Sequence, residues 1–242
     1  MMVLGIETAT AVCAVALVDD DVVLAERRYE IPQAHSEKLM ECVDDCLKSA
    51  GLALSSIDGL AISIGPGSFT GLRIGLSVAK GLAFAADKPL VGVPTLEALA
   101  LQSVRKGVAE PDDVIVPMID ARRDEVYTAI FRRHEQNVEQ LLPSQAVRCV
   151  EAMSILSGHR RILLVGDGAN KFYQYYSQHE LNNDLRIMLP NKSLQSCSAI
   201  DVALCGVLKL RHDDRDNPNT LEPMYIKEFY TTTKPQQFSV ES

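Results

Sequence analysis

A glycine-rich segment, residues 65–75, is the part of the sequence best suited to hold an anion. It lies between an apolar strand signal and a helical one, where free backbone N–H groups and the helix dipole favour a phosphate. It lacks the lysine of a P-loop, and Thr70 stands where a dinucleotide-binding fingerprint needs its third glycine. On spacing alone, a tight turn that requires glycine conformations explains the segment better.

Two further turns could join this segment if the chain binds nucleotide. One follows the first apolar strand, and the other is a weaker glycine turn in the second half of the chain. The candidate residues for nucleotide or anion binding are therefore Glu7, Thr8, Gly65, Gly67, Ser68, Gly166 and Gly168.

Nucleophilic and metal chemistry have little support in the sequence. His159 and His179, the closest histidines, are 20 residues apart, so no zinc-type histidine pair is present. There is no Gly-x-Ser-x-Gly elbow. The acidic residues Glu7, Asp120, Asp124 and Asp167 fall in separate turns. We therefore predict no catalytic and no metal-binding residues.

Composition limits the partners and the location. The chain has 242 residues, 47% of them hydrophobic, and a net charge of −8, which argues against independent binding to nucleic acid. The four Arg-Arg pairs could form a local basic patch or be scattered surface residues; the pairs begin at Arg27, Arg122, Arg132 and Arg160. Six dispersed cysteines, no leader and no run long enough to span a bilayer predict a cytoplasmic protein with reduced thiols.

The order of apolar runs predicts an α/β fold in two parts. The first part reads β-β-β-α-β-α-β-α, and the second, after a polar stretch at 105–113, starts again with strands and ends with helices. We predict an N-terminal lobe at 1–107, a C-terminal lobe at 108–230 and a loose tail at 231–242. The last helix, about 198–211, could pack back on the first lobe.

The helix expected over residues 70–86 is apolar almost all round. It carries a row of small residues at Gly71, Gly75, Ala79 and Ala83, which lets another backbone come close. The chain's own sheet is the simplest neighbour of that row. An all-round apolar helix is covered on two sides, and the second cover could come from another subunit.

Several motifs together resemble the bacterial TsaB (YeaZ) family. The matching segments extend from the N-terminus to about residue 227, and the stretch from Gly65 to Gly71 is the most specific of them. They comprise residues 4–10, 13–17, 34–37, 65–75, 119–122, 125–127 and 222–227.

The resemblance implies two ribonuclease H-like lobes of the actin, sugar-kinase and Hsp70 type, with mixed sheets and helices. It also implies a role in forming N6-threonylcarbamoyladenosine beside the anticodon of tRNA. In that pathway a metal-bearing paralogue, TsaD, performs the transfer, and an ATPase, TsaE, joins the pair. Thr95 and Leu99 stand where TsaD carries the two histidines of its H-x-x-x-H motif, so we expect a scaffold or activating subunit and no catalyst.

The resemblance further implies pairing through two helices of the first lobe, as a homodimer when the paralogue is absent. The expected contact residues are Leu39, Val43, Leu72, Gly75, Leu76, Ala79 and Ala83. Transfer RNA would reach the chain only through the complex, and no membrane and no cofactor are expected. The alternative is a stand-alone nucleotide-binding ATPase or kinase-like enzyme of the same fold, with ATP or ADP at a lobe or subunit junction.

Overall fold

The computed structural model describes residues 1–30, 35–179, 185–189 and 192–227. The first sheet has the order β3-β2-β1-β4-β5, with β1 antiparallel to β2 and parallel to β4. Its strands are β1 (Met2–Glu7), β2 (Cys13–Asp19), β3 (Val22–Tyr29), β4 (Gly59–Gly65) and β5 (Leu90–Pro94). Helices α1 (His35–Ala50), α2 (Phe69–Ala86) and α3 (Thr95–Arg105) follow β3, β4 and β5.

The second sheet repeats this arrangement, in the order β8-β7-β6-β9-β10. Its strands are β6 (Val114–Asp120), β7 (Glu125–His134), β8 (Asn137–Arg148), β9 (Arg161–Val165) and β10 (Arg186–Met188). Helices α4 (Cys149–Leu156), α5 (Gly168–Gln178) and α6 (Ala199–Arg211) follow β8, β9 and β10. Each half therefore has the same β-β-β-α-β-α-β-α topology, although no segment of the sequence repeats closely.

The elements form five layers, with two sheets alternating with three pairs of helices. Helices α1 and α2 cover the outer face of the first sheet, and α4 and α5 cover the outer face of the second. The central layer is exchanged between the lobes: α3 packs mainly on β6, β7 and β8, whereas α6 packs on β1, β2 and β4. The largest apolar core lies in this central layer.

Close backbone approach and one buried ion pair hold the central layer together. A Cβ atom on Gly5 would lie 2.4 Å from the carbonyl oxygen of Ala199, so α6 can rest on β1 only because position 5 has no side chain. Arg105 at the end of α3 donates two hydrogen bonds, of 2.8 and 2.9 Å, to the fully buried carboxylate of Asp201 on α6. Burial raises the pKa of Asp201, and the guanidinium group opposes that rise.

Most of the predicted elements are present near their expected positions, and three were missed. The helix expected over residues 70–86 begins at Phe69, where Ser68 caps it by accepting a hydrogen bond from the N–H of Gly71. The missed elements are β8, α4 and β10. Strand β8 is a half-exposed edge strand that contains Pro143, so it lacks the alternation of a half-buried strand. Helix α4 has 8 residues and β10 has 3, too few to show a period.

The predicted lobe limits remain predictions. The polar stretch at 105–113 lies between the end of α3 and the start of β6, and α6 packs on the first sheet. Residues 231–242, predicted to be a loose tail, lie outside the described residues.

Within the described residues, α2 is long and apolar enough to cross a membrane by length and composition alone. Only a third of its residues are buried. One face packs on β4 and α1, Ile74, Val78 and Leu82 are half-buried against the same core, and Phe84 is exposed.

Candidate functional site

The turns after β1 and β4 interlock at the end of the first sheet. The N–H of Ser68 donates a 2.7 Å hydrogen bond to the carbonyl oxygen of Ala9. A Cβ atom on Gly67 would lie only 2.2 Å from that same oxygen. Gly65 adopts a φ of +114°, which favours glycine. The N–H of Ser68, one of the candidate anion donors, is thus bound to the chain's own carbonyl group.

The small-residue row of α2 continues this interlock along β1. A Cβ atom on Gly71 would lie 2.1 Å from the Thr8 carbonyl oxygen, and one on Gly75 would lie 2.1 Å from Thr8 Oγ1. The row therefore packs against the chain's own first sheet. All the residues expected to contact a partner are buried within this chain: Leu39, Val43, Leu72, Gly75, Leu76, Ala79 and Ala83.

Glu7 is the fully buried acid at the centre of this site. Its Oε1 accepts hydrogen bonds from the N–H (2.9 Å) and the hydroxyl (3.2 Å) of Thr10. Burial raises the pKa of Glu7, while Ser63, Thr10 and Cys197 favour the charged form. Oε2 has no hydrogen bond of ordinary geometry to a described residue. Cys197 precedes α6, so Glu7 lies where the second half of the chain meets the first.

The glycine turn of the second lobe forms a separate, equivalent cluster at the end of β6. A Cβ atom on Gly166 would lie 2.2 Å from Met118 O, and one on Gly168 would lie 2.9 Å from the carbonyl carbon of Ile119. Asp167 accepts a 3.0 Å hydrogen bond from the N–H of Asp120, and burial raises its pKa. The candidate nucleotide-binding residues thus fall into two clusters, one in each lobe, and nucleotide binding by them remains a prediction.

The first two turns of α3 connect these clusters. Thr95 Oγ1 accepts a 3.1 Å hydrogen bond from the N–H of Gly65. Leu99 is fully buried, and its Cδ1 lies 3.4 Å from the Cβ position of Gly166. Neither side chain is a ligand for a transition metal. No group of three or more His, Cys, Asp or Glu side chains suited to a metal occurs in the part of the chain that the structure describes.

The sequence did not reveal a C-terminal strap, residues 213–227, that runs from the first lobe to the second. The N–H of Met224 donates to Ile64 O (2.7 Å), and Lys227 Nζ donates to Ala121 O (2.8 Å) and to Glu125 Oε2 (2.5 Å). The sequence did not predict these contacts because they join distant segments and follow no periodic pattern. The motif around Tyr225 was the one sequence signal in this region.

A groove of about 350 Å³ separates the strap from α2. At its edge, the guanidinium carbon of Arg73 lies 3.8 Å from the ring centroid of Phe69, and Arg73 Nε donates a 2.9 Å hydrogen bond to Tyr225. This cluster fixes the strap to the first turn of α2.

Comparison with known proteins agrees with this architecture. A family model described as TsaD, tRNA N6-adenosine threonylcarbamoyltransferase, matches residues 28–205. The tRNA threonylcarbamoyladenosine biosynthesis protein TsaB of Escherichia coli is 40% identical over 65% of this chain and 68% of its own length. TsaB of Haemophilus influenzae is 31% identical over 79% and 81%. The structure of YeaZ from Pseudomonas aeruginosa matches with a TM-score of 0.77 and 26% identity over 93% of this chain and all of that one.

Two lobes of one topology, with helices exchanged between them, define a two-lobe α/β protein of the actin, sugar-kinase and Hsp70 class. The expected fold is confirmed. Within that class, the chain belongs to the TsaB (YeaZ) family, whose members are named for tRNA threonylcarbamoyladenosine biosynthesis. It therefore takes part in forming this modified nucleoside.

Proposed function

We propose that the chain is a non-catalytic partner subunit that binds and activates a TsaD-type transferase, together with a TsaE-type ATPase. The TsaB-named relatives support participation in threonylcarbamoyladenosine formation. The family model matched by residues 28–205 bears the transferase's name, which is consistent with a paralogous pair of subunits. In this proposal tRNA reaches the chain only within the complex.

The outward face of α2 is the observation that carries this proposal. Phe84 is 90% exposed, and Ile74, Val78 and Leu82 are half-buried on the same helix. An aromatic side chain exposed to this extent is a candidate anchor of a protein–protein interface, since such anchors are enriched in large aromatic residues. The chain covers the inner face of the helix completely and the edge with Ile74, Val78 and Leu82 in part, whereas Phe84 lies uncovered among polar residues such as Ser77 and Lys80.

The surface residues that we assign to the interface differ from those expected from sequence. The seven expected residues are buried in this chain and would lie directly beneath such an interface, and their contact with a partner stays a prediction. Phe84 on α2 and Met40 on α1 are exposed, and Ile74 and Val78 are half-buried at the edge of the first-lobe core. The same face would serve a homodimer when the transferase is absent, so the two pairings would compete.

The absence of imidazoles on α3 supports a role without catalysis. Thr95 and Leu99 fill the positions of the paralogue's metal ligands, and each packs against one glycine turn. The alternative, a nucleotide-binding enzyme, draws less support from the geometry because the turn glycines are accounted for by close contacts with Thr8, Ala9 and Met118.

Light scattering on a sizing column tests the proposal, with the chain alone and then mixed with its TsaD-type paralogue. We expect a homodimer that gives way to a 1:1 complex. Phe84→Asp should abolish both, because a carboxylate would be buried at the interface. Tyr173→Asp is the matched control, since Tyr173 is a surface aromatic residue on α5, outside the proposed face.

The folding of both variants is checked by their thermal midpoints, which should match that of the unmodified chain. If Phe84→Asp pairs as well as Tyr173→Asp does, the assignment of α2 is wrong. If the unmodified chain does not associate with the paralogue at tens of micromolar, the partner role itself is contradicted. Calorimetry with ATP would then test the nucleotide-binding alternative.

A further inference from the structure

The four pairs of consecutive arginines differ in the side-chain hydrogen bonds that they donate within the chain. In three pairs, at least one guanidinium group donates hydrogen bonds to an acid or hydroxyl of the chain: Arg28 to Glu30 and Ser196, Arg132 to Glu139, and Arg161 to Asp113. In the fourth pair, neither Arg122 nor Arg123 donates a side-chain hydrogen bond to any residue within the described ranges. This pair is available to an external anion.

The backbone holds this pair in an unfavourable conformation. Arg122 and Arg123 lie exposed in the β6–β7 turn with φ values of +70° and +52°. Residues with a Cβ atom avoid this left-handed region, and turns that need two such residues usually use Asn-Gly. A strained, exposed turn that lacks the residues suited to it is a reason to look for a function.

The base of the hairpin is braced by two lysines that neutralise Asp120 and Glu125, while the third acid, Asp124, is exposed at the tip beside Arg123. Lys171 Nζ donates to Asp120 Oδ1 at 2.5 Å, and Lys227 Nζ donates to Glu125 Oε2 at 2.5 Å. Neither acid accepts a hydrogen bond from the guanidinium groups at the tip, and Asp120 Oδ1 accepts one from the backbone N–H of Arg122 instead. The braces come from α5 and from the C-terminal strap, so three segments of the chain maintain the turn.

We propose that Arg122 and Arg123 contact phosphate groups of the RNA when the chain is part of its tRNA-modifying assembly. This inference rests on the proposed function. The guanidinium fork is suited to phosphate oxygens. An exposed hairpin tip fits an extended polyanion better than a small ligand, because small-molecule sites are concave.

Because the chain has a net charge of −8, we expect this contact only when the chain is part of the assembly. Two arginines cannot supply the affinity that an acidic chain lacks, since non-specific RNA binding rests on many phosphate contacts. The pair therefore orients RNA that the complex already holds. Binding is accordingly measured with the chain and its TsaD-type paralogue together.

The test measures the salt dependence of tRNA binding by that complex, using fluorescence anisotropy. Arg122→Gln with Arg123→Gln should make the slope of log K against log salt shallower by about 1.4 to 1.8, the share of two phosphate contacts. Arg132→Gln with Arg133→Gln removes the same charge from the other end of β7 and should leave the slope unchanged. Arg122→Lys with Arg123→Lys keeps the charge and should therefore give a slope close to that of the unmodified complex.

A second variant separates strain from charge. Arg122→Asn with Arg123→Gly suits the left-handed turn, so it should raise the thermal midpoint of unfolding while weakening tRNA binding as the Gln variant does. A stabilising substitution that reduces binding cannot act by damaging the fold.

Three results would overturn the inference. Equal salt slopes for the unmodified and Gln-substituted complexes would show that the pair does not touch phosphate. Loss of the paralogue by the Gln variant alone would assign the pair to an acidic protein surface. Failure of the unmodified chain to form the complex, monitored on a sizing column in the same experiment, would overturn the proposed function as well.

Discussion

Glu7 joins the end of β1 to the turn that follows it and to the loop before α6. It ends β1, is fully buried, and bonds to the backbone and hydroxyl of Thr10 in the following turn. Cys197 reaches it from the loop before α6. Since burial raises its pKa, the neutral carboxyl form is favoured in the folded chain relative to the unfolded one.

Replacing Glu7 with Gln should flatten the pH dependence of the free energy of unfolding. A carboxyl group with a raised pKa contributes stability that is fully present below its unfolded value of 4.5 and is lost as the pH rises through its folded value. Gln keeps the shape without titrating. Urea denaturation from about pH 4.5 to about pH 8 should therefore show the variant gaining on the unmodified chain.

Glu110→Gln, at an exposed position, is the control for the loss of one carboxylate. A constant difference in the free energy of unfolding between the Glu7→Gln and unmodified chains across this range would contradict a raised pKa of Glu7.

The two faces of helix α2 have different surroundings. Its inner face is a row of small residues that lets the helix approach Thr8, and its outer face carries Phe84. The sequence showed both faces as apolar, but it did not distinguish the face turned to the sheet from the face turned outwards. The contacts of Gly71 and Gly81 make the distinction, because only the first has neighbours within 4 Å.

Two glycine-to-alanine substitutions in α2 should therefore have opposite effects on stability. In Gly71→Ala the new Cβ atom would lie 2.1 Å from the Thr8 carbonyl oxygen, and we expect a loss of about 1–3 kcal/mol from overpacking. In Gly81→Ala nothing lies within 4 Å, and we expect a gain of about 0.5–1 kcal/mol from helix propensity. Urea denaturation of the two variants with equal m-values measures both. A Gly71→Ala variant as stable as the unmodified chain would show that the inner face is not tightly packed.

The whole molecule is held together by exchange of the central helices. Helix α3 belongs in sequence to the first lobe but packs on the second sheet, and α6 does the converse. The Arg105–Asp201 pair joins them, and the strap ends on the second lobe at Lys227. Neither half covers its own sheet on both faces.

A fragment of residues 1–107 should consequently not fold alone. Without α6, the inner face of its sheet around Val3 and Ala61 would be open to water. Circular dichroism should show no cooperative thermal transition for 1–107, whereas mixing it with 108–242 should restore one. The intact chain should unfold in a single transition. A cooperative transition for 1–107 by itself would contradict this account.

Features of the site that depend on neighbouring residues were predicted, and features that depend on contacts between distant segments were not. The turn at Gly65–Gly71 was found because glycine spacing between a strand and a helix is a local signal. A tight turn was the favoured explanation of its glycines, but its partner was not predicted because Ala9 is more than 50 residues away in the sequence. The contact residues on α2 were expected from the family resemblance, and their pattern marks apolar positions without saying which side of the helix the chain itself covers.

The sequence by itself determined the α/β class, most of the strands and helices, the family and the absence of histidines on α3, since these depend on residue type and short-range order. Only the tertiary structure decided that the two halves exchange helices, that the glycine turns are filled by the chain's own carbonyls, and that the side chains of Arg122 and Arg123 donate no hydrogen bond within the described chain. Those outcomes depend on contacts between segments far apart in sequence, which are set by packing and carry no local pattern.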